Sequence, residues 1–246
     1  MGQLAGNDES TVDRLFARAV AADPTRPLLT WYDDATGERI ELSGTTLDNW
    51  VAKTANLLVD GAGLSVGDQA AVLLPPHWQT AAVMLGCWTA GVVVGDADLA
   101  APDAVFVTAD RAADAPPAAE RYALGLAPLG APLREVPAGF ADYVVEVRAH
   151  GDHFTPYAGI DLADTAVTGA TTVTHGELCR RAAERAAALG LRDGDRVLID
   201  AAAHADPLDW LLAPLAAAAT VVLCGRLDPE RLARRAADEK VTHILR

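Results

Sequence analysis

Positively charged side chains are scarce in this 246-residue sequence, and lysine is almost absent. Lys53 and Lys240 are the only lysines, and 20 basic residues in all face 34 acidic ones, for a formal net charge of −14. An excess of negative charge repels polyanions, so the composition argues against nucleic acid or an anionic membrane as a partner. A highly charged surface also serves simple solubility, which is the plainer interpretation.

Cysteine and long apolar runs are scarce as well. Cys87, Cys179 and Cys224 show no Cys-x-x-Cys spacing, which excludes a disulfide framework or a zinc finger and indicates small buried side chains. The longest apolar run, Leu211 to Cys224, contains Pro214. It is shorter than the roughly 20 residues that a membrane-spanning helix needs. The sequence therefore predicts no membrane association.

Known signatures of secretion and catalysis are missing too. The stretch from Met1 to Ser10 is polar and lacks the apolar core of a signal peptide, so we expect a cytoplasmic protein. The sequence has no Gly-x-Ser-x-Gly, Gly-x-Gly-x-x-Gly, Walker or His-Glu-x-x-His motif. The segment His150-Gly151-Asp152-His153 has side chains that can bind zinc or nickel, but a solvated loop is the preferred interpretation. We predict no catalytic residue and no metal ligand.

What the chain does contain is a repeat. The pattern Gly-Leu-x-x-Gly-Asp occurs at Gly63–Asp68 and again at Gly190–Asp195. An amphipathic stretch precedes each copy and a short apolar run follows it. Glycine commonly ends a helix in the left-handed conformation, and a second glycine suits a tight turn. Two similar helix–turn–strand units are therefore expected.

Helical and extended patterns alternate along the chain, which is typical of layered α/β proteins with largely parallel sheets. The apolar runs Gln69–Leu74 and Arg196–Asp200 are expected to form central strands that are buried on both faces. We predict a first α/β half at 1–110, an Ala/Pro/Gly-rich, loosely structured connection at 111–142, and a second α/β half at 143–246.

Several local predictions follow from shorter patterns. Residues 28–42 should form a β-hairpin, and 207–218 a helix. The β-branched residues within Tyr143–Arg148 indicate a strand. Asp228 should cap a helix that runs to Glu239.

Five stretches taken together resemble the acyl-adenylate-forming (AMP-binding) superfamily, which includes acyl-CoA synthetases, luciferases and peptide-synthetase adenylation domains. The matching stretches are Pro27-Leu28-Leu29-Thr30, Gly63–Pro75, Leu85–Gly91, Val173-Thr174-His175-Gly176-Glu177-Leu178, and the run that contains Asp228-Pro229-Glu230 and Lys240-Val241-Thr242. The resemblance implies the N-terminal subdomains of the adenylate-forming fold. Members of that superfamily are about twice as long as this sequence.

The resemblance also locates a candidate site. The superfamily carries a loop close to T-S-G-T-T-G-x-P-K-G, whose backbone N–H groups and lysine hold the phosphates of ATP. Residues 164–172 stand at that position here; the loop is shorter, and its second glycine, proline and lysine are absent. The candidate ligand-binding residues are Thr168, Gly169, Thr171, Thr172 and His175.

The resemblance implies that His175 matches a residue that lines the substrate pocket in the family. An ordinary histidine at the start of a helix is an equal alternative. ATP or AMP is the ligand that the resemblance implies, but no cofactor is required by the sequence. The remaining adenylating machinery is expected after the point where this chain stops.

The resemblance and its departures predict a degenerate AMP-binding-like protein without ligase activity, which binds a nucleotide or acyl-type ligand in a residual cleft. One alternative is an acyl-CoA or acyl-adenylate ligase component that another chain completes. Another is a module that acts only through protein contacts.

The high apolar content, 51% of the residues, suggests self-association. Trp78 and Trp210 begin the two equivalent helices, and large exposed apolar patches are rare on monomers. We expect a homodimer with an apolar centre and an acidic rim, rather than a monomer whose faces have become polar.

Overall fold

The computed structural model describes residues 10–246, which form seven α-helices and twelve β-strands. The helices are α1 (Val12–Ala22), α2 (Gly44–Asn56), α3 (Trp78–Ala90), α4 (Tyr143–Arg148), α5 (His175–Ala188), α6 (Ala213–Ala216) and α7 (Pro229–Asp238). The strands are β1 (Pro27–Asp33), β2 (Glu38–Ser43), β3 (Gln69–Leu73), β4 (Val93–Gly95), β5 (Ala104–Thr108), β6 (Glu120–Leu124), β7 (Ala141–Asp142), β8 (Thr165–Val167), β9 (Val173–Thr174), β10 (Arg196–Asp200), β11 (Thr220–Gly225) and β12 (His243–Leu245).

One compact unit, formed by residues 10–47, 75–78 and 176–246, contains a five-stranded sheet. Its strand order is β12-β10-β11-β1-β2. Every neighbouring pair is parallel except the β1–β2 hairpin, which confirms the hairpin predicted at 28–42.

The other compact unit, formed by residues 48–74 and 79–175, contains a seven-stranded sheet of order β7-β6-β5-β3-β4-β8-β9. All its pairs are parallel except the hairpin of β8 and β9. Two largely parallel sheets with helices confirm the predicted α/β class.

The two strands that follow the repeat are central, as predicted. Strand β3 pairs with β4 and β5, and β10 pairs with β11 and β12, all in parallel. Ala70 and Ala71 of β3 are fully buried, as are Val197, Leu198 and Ile199 of β10. A strand with parallel neighbours on both sides has helices over both faces, so continuous burial follows.

The two compact units differ from the predicted halves. The five-stranded sheet takes β1 and β2 from the range 1–110 and β10, β11 and β12 from 143–246. Strand β1 pairs in parallel with β11, and a pairing so distant in sequence leaves no local signal. The polar amino terminus, 1–9, lies outside the described residues.

Residues 111–142, predicted to be loosely structured, include the five-residue strand β6. Its neighbour is β5, and the rings of Phe106 and Tyr122 stack with their centroids 5.1 Å apart. Tyr122, Ala123 and Leu124 are buried. Flanking alanine, proline and glycine obscured a strand of this length in the sequence.

The prediction of a strand at Tyr143–Arg148 is wrong, because this segment is helix α4. The Asp142 carboxylate accepts a hydrogen bond of 2.8 Å from the Val144 N–H and so caps the helix. Val144 and Val147 are buried with Tyr143, whereas Val145 is exposed. The buried positions thus follow the helical period, and tertiary packing outweighs the β propensity of valine.

The helix predicted at 207–218 is present as an uninterrupted helical segment over 207–216, but the helix type changes along it. Leu208–Leu212 forms a π-helical turn, and α6 follows with Pro214 in its first turn. Proline has no N–H to continue an α-helical ladder, which accounts for the change of helix type there. Trp78 and Trp210 are both buried within the chain, so neither supports the expected dimer interface.

The prediction that Asp228 caps the last helix is confirmed. Its carboxylate accepts a 3.0 Å hydrogen bond from the Glu230 N–H at the start of α7. In the described residues, no helix is both long and apolar enough to cross a membrane.

Candidate functional site

The candidate loop is the turn of a β-hairpin. Strands β8 and β9 pair antiparallel around residues 168–172, and β8 lies beside β4 through the pair Val94 and Val167. The Thr168 N–H donates a 2.9 Å hydrogen bond to the Val94 carbonyl. Since the turn follows the last residue of β8, it lies at the carboxyl ends of parallel strands, the edge where open α/β sheets bind ligands.

A carboxylate lies beside this turn. Asp96 directly follows β4, and a Cβ atom placed on Gly169 would be 3.3 Å from the Asp96 Oδ2 atom. The other oxygen, Oδ1, accepts a 3.0 Å hydrogen bond from the Asp98 N–H. The backbone at Gly169 has φ +143°, which side chains rarely adopt. A negative charge therefore occupies the neighbourhood in which the resemblance implies ATP phosphates.

The same unit contains a cavity of about 460 Å³. Its lining is mainly polar and includes one acidic side chain, Asp164, but no lysine or arginine among the residues that the structure describes. The lining residues are Val66, Gly67, Gln69, Val93, Ala163, Asp164, Thr165, Thr168 and Thr172.

The cavity extends to the amino ends of the strands. Gln69, Val93 and Thr165 are the first residues of β3, β4 and β8. Thr168 and Thr172 are the candidate residues that reach this cavity. The structure thus divides the predicted site between a cavity and the exposed tip of the hairpin turn.

His175, the fifth candidate residue, is placed differently. It is the first residue of α5 and its side chain is fully buried. Its backbone N–H donates a 2.9 Å hydrogen bond to the carbonyl of Asp164, the residue that precedes β8. His175 is not part of the cavity lining, so the structure does not join its ring to the threonine side chains.

The segment His150–His153 is held by α2. Lys53 forms a 2.9 Å ion pair with Asp152, and the Asn56 side chain donates to the carbonyls of Gly151 and His153. Within 10–246, no group of three or more potential metal ligands comes together. These contacts give the segment a structural role.

The sequence did not predict a partly buried network of charged side chains around Glu239. In the five-stranded unit, the Glu239 carboxylate accepts hydrogen bonds from the Tyr32 hydroxyl (2.5 Å), Arg39 (3.0 Å) and Arg196. Burial opposes its ionisation, but these three donors lower the pKa of Glu239 to about 2. We call these four residues the Glu239 network.

The Glu239 network joins β1, β2 and β10 to the residue after α7. Tyr32 also lies under the guanidinium of Arg235, 4.2 Å from its ring centroid, and Arg235 pairs with Asp34. The Arg235 hydrogen bonds lower the pKa of the Asp34 carboxyl. The partners in the Glu239 network are separated by up to 207 positions in the chain, so no spacing in the sequence marks them.

A histidine–carboxylate pair also occurs in this unit. The His204 Nδ1 atom is 2.9 Å from Asp209 Oδ2, and Arg185 holds the other carboxylate oxygen at 2.6 Å. Hydrogen bonding by Arg185 lowers the pKa of Asp209. Because Arg185 already neutralises the carboxylate, the arrangement serves as a link between α5 and the π-helical turn.

Comparison with known proteins shows which family the chain belongs to. The model of the AMP-binding enzyme family matches residues 16–114. The chain is similar to the TIGR03089 family protein of Mycobacterium tuberculosis, with 46% identity over 235 residues, which cover 91% of this chain and 93% of the relative. The chain belongs to the TIGR03089 family.

Two solved enzyme structures share the fold. A Brucella canis acyl-CoA synthetase superposes with a TM-score of 0.75 at 20% identity, over 98% of this chain and 48% of the other. The anthranilate CoA ligase AuaEII, solved with anthranoyl-AMP, gives 0.72 at 14% identity, over 99% of this chain and 51% of the other. This chain spans about half the length of these two enzymes.

Proposed function

We propose that this chain is a non-catalytic member of the adenylate-forming superfamily, which binds a small molecule beside its former phosphate loop and does not form an acyl adenylate. The observation that carries the proposal is the Asp96 carboxylate next to Gly169. ATP binding requires this turn to accept a polyanion.

The charge balance at the turn supports this function. Residues 164–172 contain no lysine or arginine, and Asp96 and Asp164 lie at the turn and in the cavity. Two unit charges about 4 Å apart interact by about 1 kcal/mol in water and about 4 kcal/mol near a protein surface. Phosphates at this turn meet repulsion of that order instead of attraction. Activation of a carboxylate by ATP also needs positive charge at the transferred group.

The same argument bears on a ligase completed by another chain. The turn belongs to this chain, so a partner that supplied a catalytic lysine would still have to bring phosphates next to Asp96. The uncharged part of a nucleotide or an acyl-type ligand meets no such repulsion. We therefore favour a ligand without phosphates, and ATP or AMP is the less favoured occupant.

Pyrophosphate exchange tests the loss of catalysis. Wild type and D96N are incubated with ATP, labelled pyrophosphate and a panel of carboxylates, beside heat-denatured protein. We expect no exchange above the denatured control. Sustained exchange by the wild type with any carboxylate would refute the proposal.

Pyrophosphate titration tests the role of Asp96 itself. The backbone amide signals of residues 168–172 are followed by NMR in wild type, D96N and D110N, in which the last removes an exposed charge at the carboxyl end of β5. Loss of one repulsive charge should tighten pyrophosphate binding by about tenfold in D96N and leave D110N unchanged. Equal affinities in all three proteins would remove the electrostatic argument.

A homodimer remains part of this proposal, although the burial of Trp78 and Trp210 withdraws one reason for it. Light scattering at micromolar concentration checks it. A single species at the monomer mass of 25.7 kDa, unchanged on concentration, would contradict the dimer.

A further inference from the structure

We propose that the cavity of about 460 Å³ binds a small organic cation, an aliphatic amine that also carries hydroxyl or amide groups. This inference rests on the proposed function, because it names the ligand class of the cavity beside the former phosphate loop. The cavity volume lies within the range of about 300 to 1,000 Å³ that is usual for small-molecule sites.

The side chains of the lining favour a cation. Asp164 is the charged side chain of the lining, and its Oδ2 atom accepts a 2.8 Å hydrogen bond from the Asp161 N–H. An ionised carboxylate offers about four acceptor sites, so one internal bond leaves capacity for an ammonium group. An ammonium–carboxylate hydrogen bond is charge-assisted and roughly twice as strong as a neutral one.

Neutral polar groups complete the lining. Thr165, Thr168 and Thr172 bring hydroxyl groups, which both donate and accept hydrogen bonds, and Gln69 brings a side-chain amide. Groups of this kind match the hydroxyl or amide of a ligand whose amine lies on Asp164. A purely apolar amine would leave them without such partners.

The backbone of the lining is poorly suited to an anion. Anion sites in loops use successive free N–H groups. Here the Gly67 N–H donates to the Gly91 carbonyl (3.0 Å), the Thr168 N–H to Val94 (2.9 Å) and the Val93 N–H to Asp68 (2.8 Å). These N–H groups already donate hydrogen bonds within the protein, so they are not free to bind a phosphate or carboxylate.

Nearby carboxylates extend the negative field. The Gln69 N–H donates to Asp103 Oδ2 at 2.8 Å, and Asp96 lies beside Gly169. Clefts lined by one sign of charge concentrate ligands of the opposite sign. Together, the lining and its surroundings select against anions and for a cation.

NMR titration with ethanolamine tests this ligand class, with glucose as the neutral probe and acetate as the anionic probe at equal ionic strength. We expect saturable shifts of the amide signals of Thr165, Thr168 and Thr172 with ethanolamine, and none with acetate. Saturation by glucose but not by ethanolamine, or no saturable shift at all, would overturn the inference.

Three variants separate the cavity from general attraction to an acidic protein. D164N removes the charge-assisted contact and should weaken ethanolamine binding about tenfold. T172V removes the hydroxyl of an exposed residue while nearly keeping the shape of the side chain, and should weaken ethanolamine binding about threefold. D110N, at the carboxyl end of β5 and outside the cavity lining, should bind as the wild type does. Thermal unfolding verifies that each variant is folded.

Equal weakening by D164N and D110N, or no weakening by D164N, would contradict the proposed contact. The outcome is independent of catalysis. If the protein both bound the amine and catalysed pyrophosphate exchange, only the non-catalytic function would be refuted. If it did neither, only the ligand class would be refuted.

Discussion

The two copies of the repeat, Gly63–Asp68 and Gly190–Asp195, have nearly the same local structure. Their first glycines have φ +74° and +72°, and their second glycines +95° and +86°. In each copy the aspartate carboxylate accepts a 2.7 Å hydrogen bond from the N–H three residues earlier. The conformation of the turn therefore depends on its own glycine and aspartate residues and not on the residues packed around it.

The surroundings of the two turns differ. The first strand residue after the first turn is Gln69, which lines a cavity. The corresponding residue after the second turn is Arg196, which is bound into the Glu239 network. One copy is thus followed by a residue that borders a cavity, while the other places at the equivalent position a charge that is paired within the fold.

Substitution of Glu239 should give the largest difference in stability between the surroundings of the two turns. E239Q removes the acceptor charge from Arg196, Arg39 and Tyr32, and breaking a largely buried ion pair costs about 3 kcal/mol of unfolding free energy. Gln69→Ala in the other copy should cost less than about 1 kcal/mol, because a polar side chain at an open cavity has little packing to lose.

Urea unfolding measures both variants, with E41Q as the control. Glu41 pairs with Arg39 at the surface, and exposed pairs contribute about 0.2 to 1 kcal/mol. If Q69A were as destabilising as E239Q, the distinction between a cavity-lining and a structural position would be lost.

Low pH should remove the contribution of Glu239 to the stability of the fold. The pKa of Glu239 is lowered to about 2, below the usual value of 4.5. Its ionised form therefore stabilises the fold above pH 4.5, and this contribution is lost as the pH falls from there towards 2. The difference in stability between wild type and E239Q should shrink over that interval.

Urea titrations at a series of pH values test this. A difference that stays constant from pH 6 to pH 2.5 would show that the Glu239 charge does not stabilise the fold. E41Q serves again as the control, and its difference from the wild type should stay small throughout.

Substitutions of the repeat glycines should have small and nearly equal effects. At Gly63 and Gly190 a Cβ atom would meet no atom within 4 Å, so alanine adds only the backbone cost of the left-handed conformation. G63A and G190A should each lose about 1 kcal/mol.

Thermal or urea unfolding of the two variants gives a direct comparison. Gly37 also has a positive φ with open space around its Cβ position, so G37A is the matched control outside the repeat. A difference of more than about 1 kcal/mol between G63A and G190A would show that tertiary context, and not the turn itself, determines the cost.

Part of the site was accessible to sequence reasoning. The position of the turn at 168–172 and its threonines followed from an ordered series of resemblances, and the structure places this turn in a hairpin at a carboxyl strand edge. Asp96 was not anticipated, because it lies on a different loop and reaches Gly169 only through the pairing of β4 with β8. The cavity was missed for the same reason.

The sequence by itself determined the elements whose cause is local. The repeat turns depend on glycine and aspartate, the α7 cap on Asp228, and the buried strands β3 and β10 on continuous apolar runs. Each of these rests on conformational preference or burial over a few consecutive residues.

Only the tertiary structure decided which distant residues meet. Strand β1 joins β11, Glu239 collects Tyr32, Arg39 and Arg196, and the valine-rich segment after Asp142 becomes a helix because its buried face follows the helical period. These outcomes depend on the total burial and charge pairing of the folded chain. Charges and apolar surfaces interact through space, so their partners are set by the fold and not by their separation in sequence.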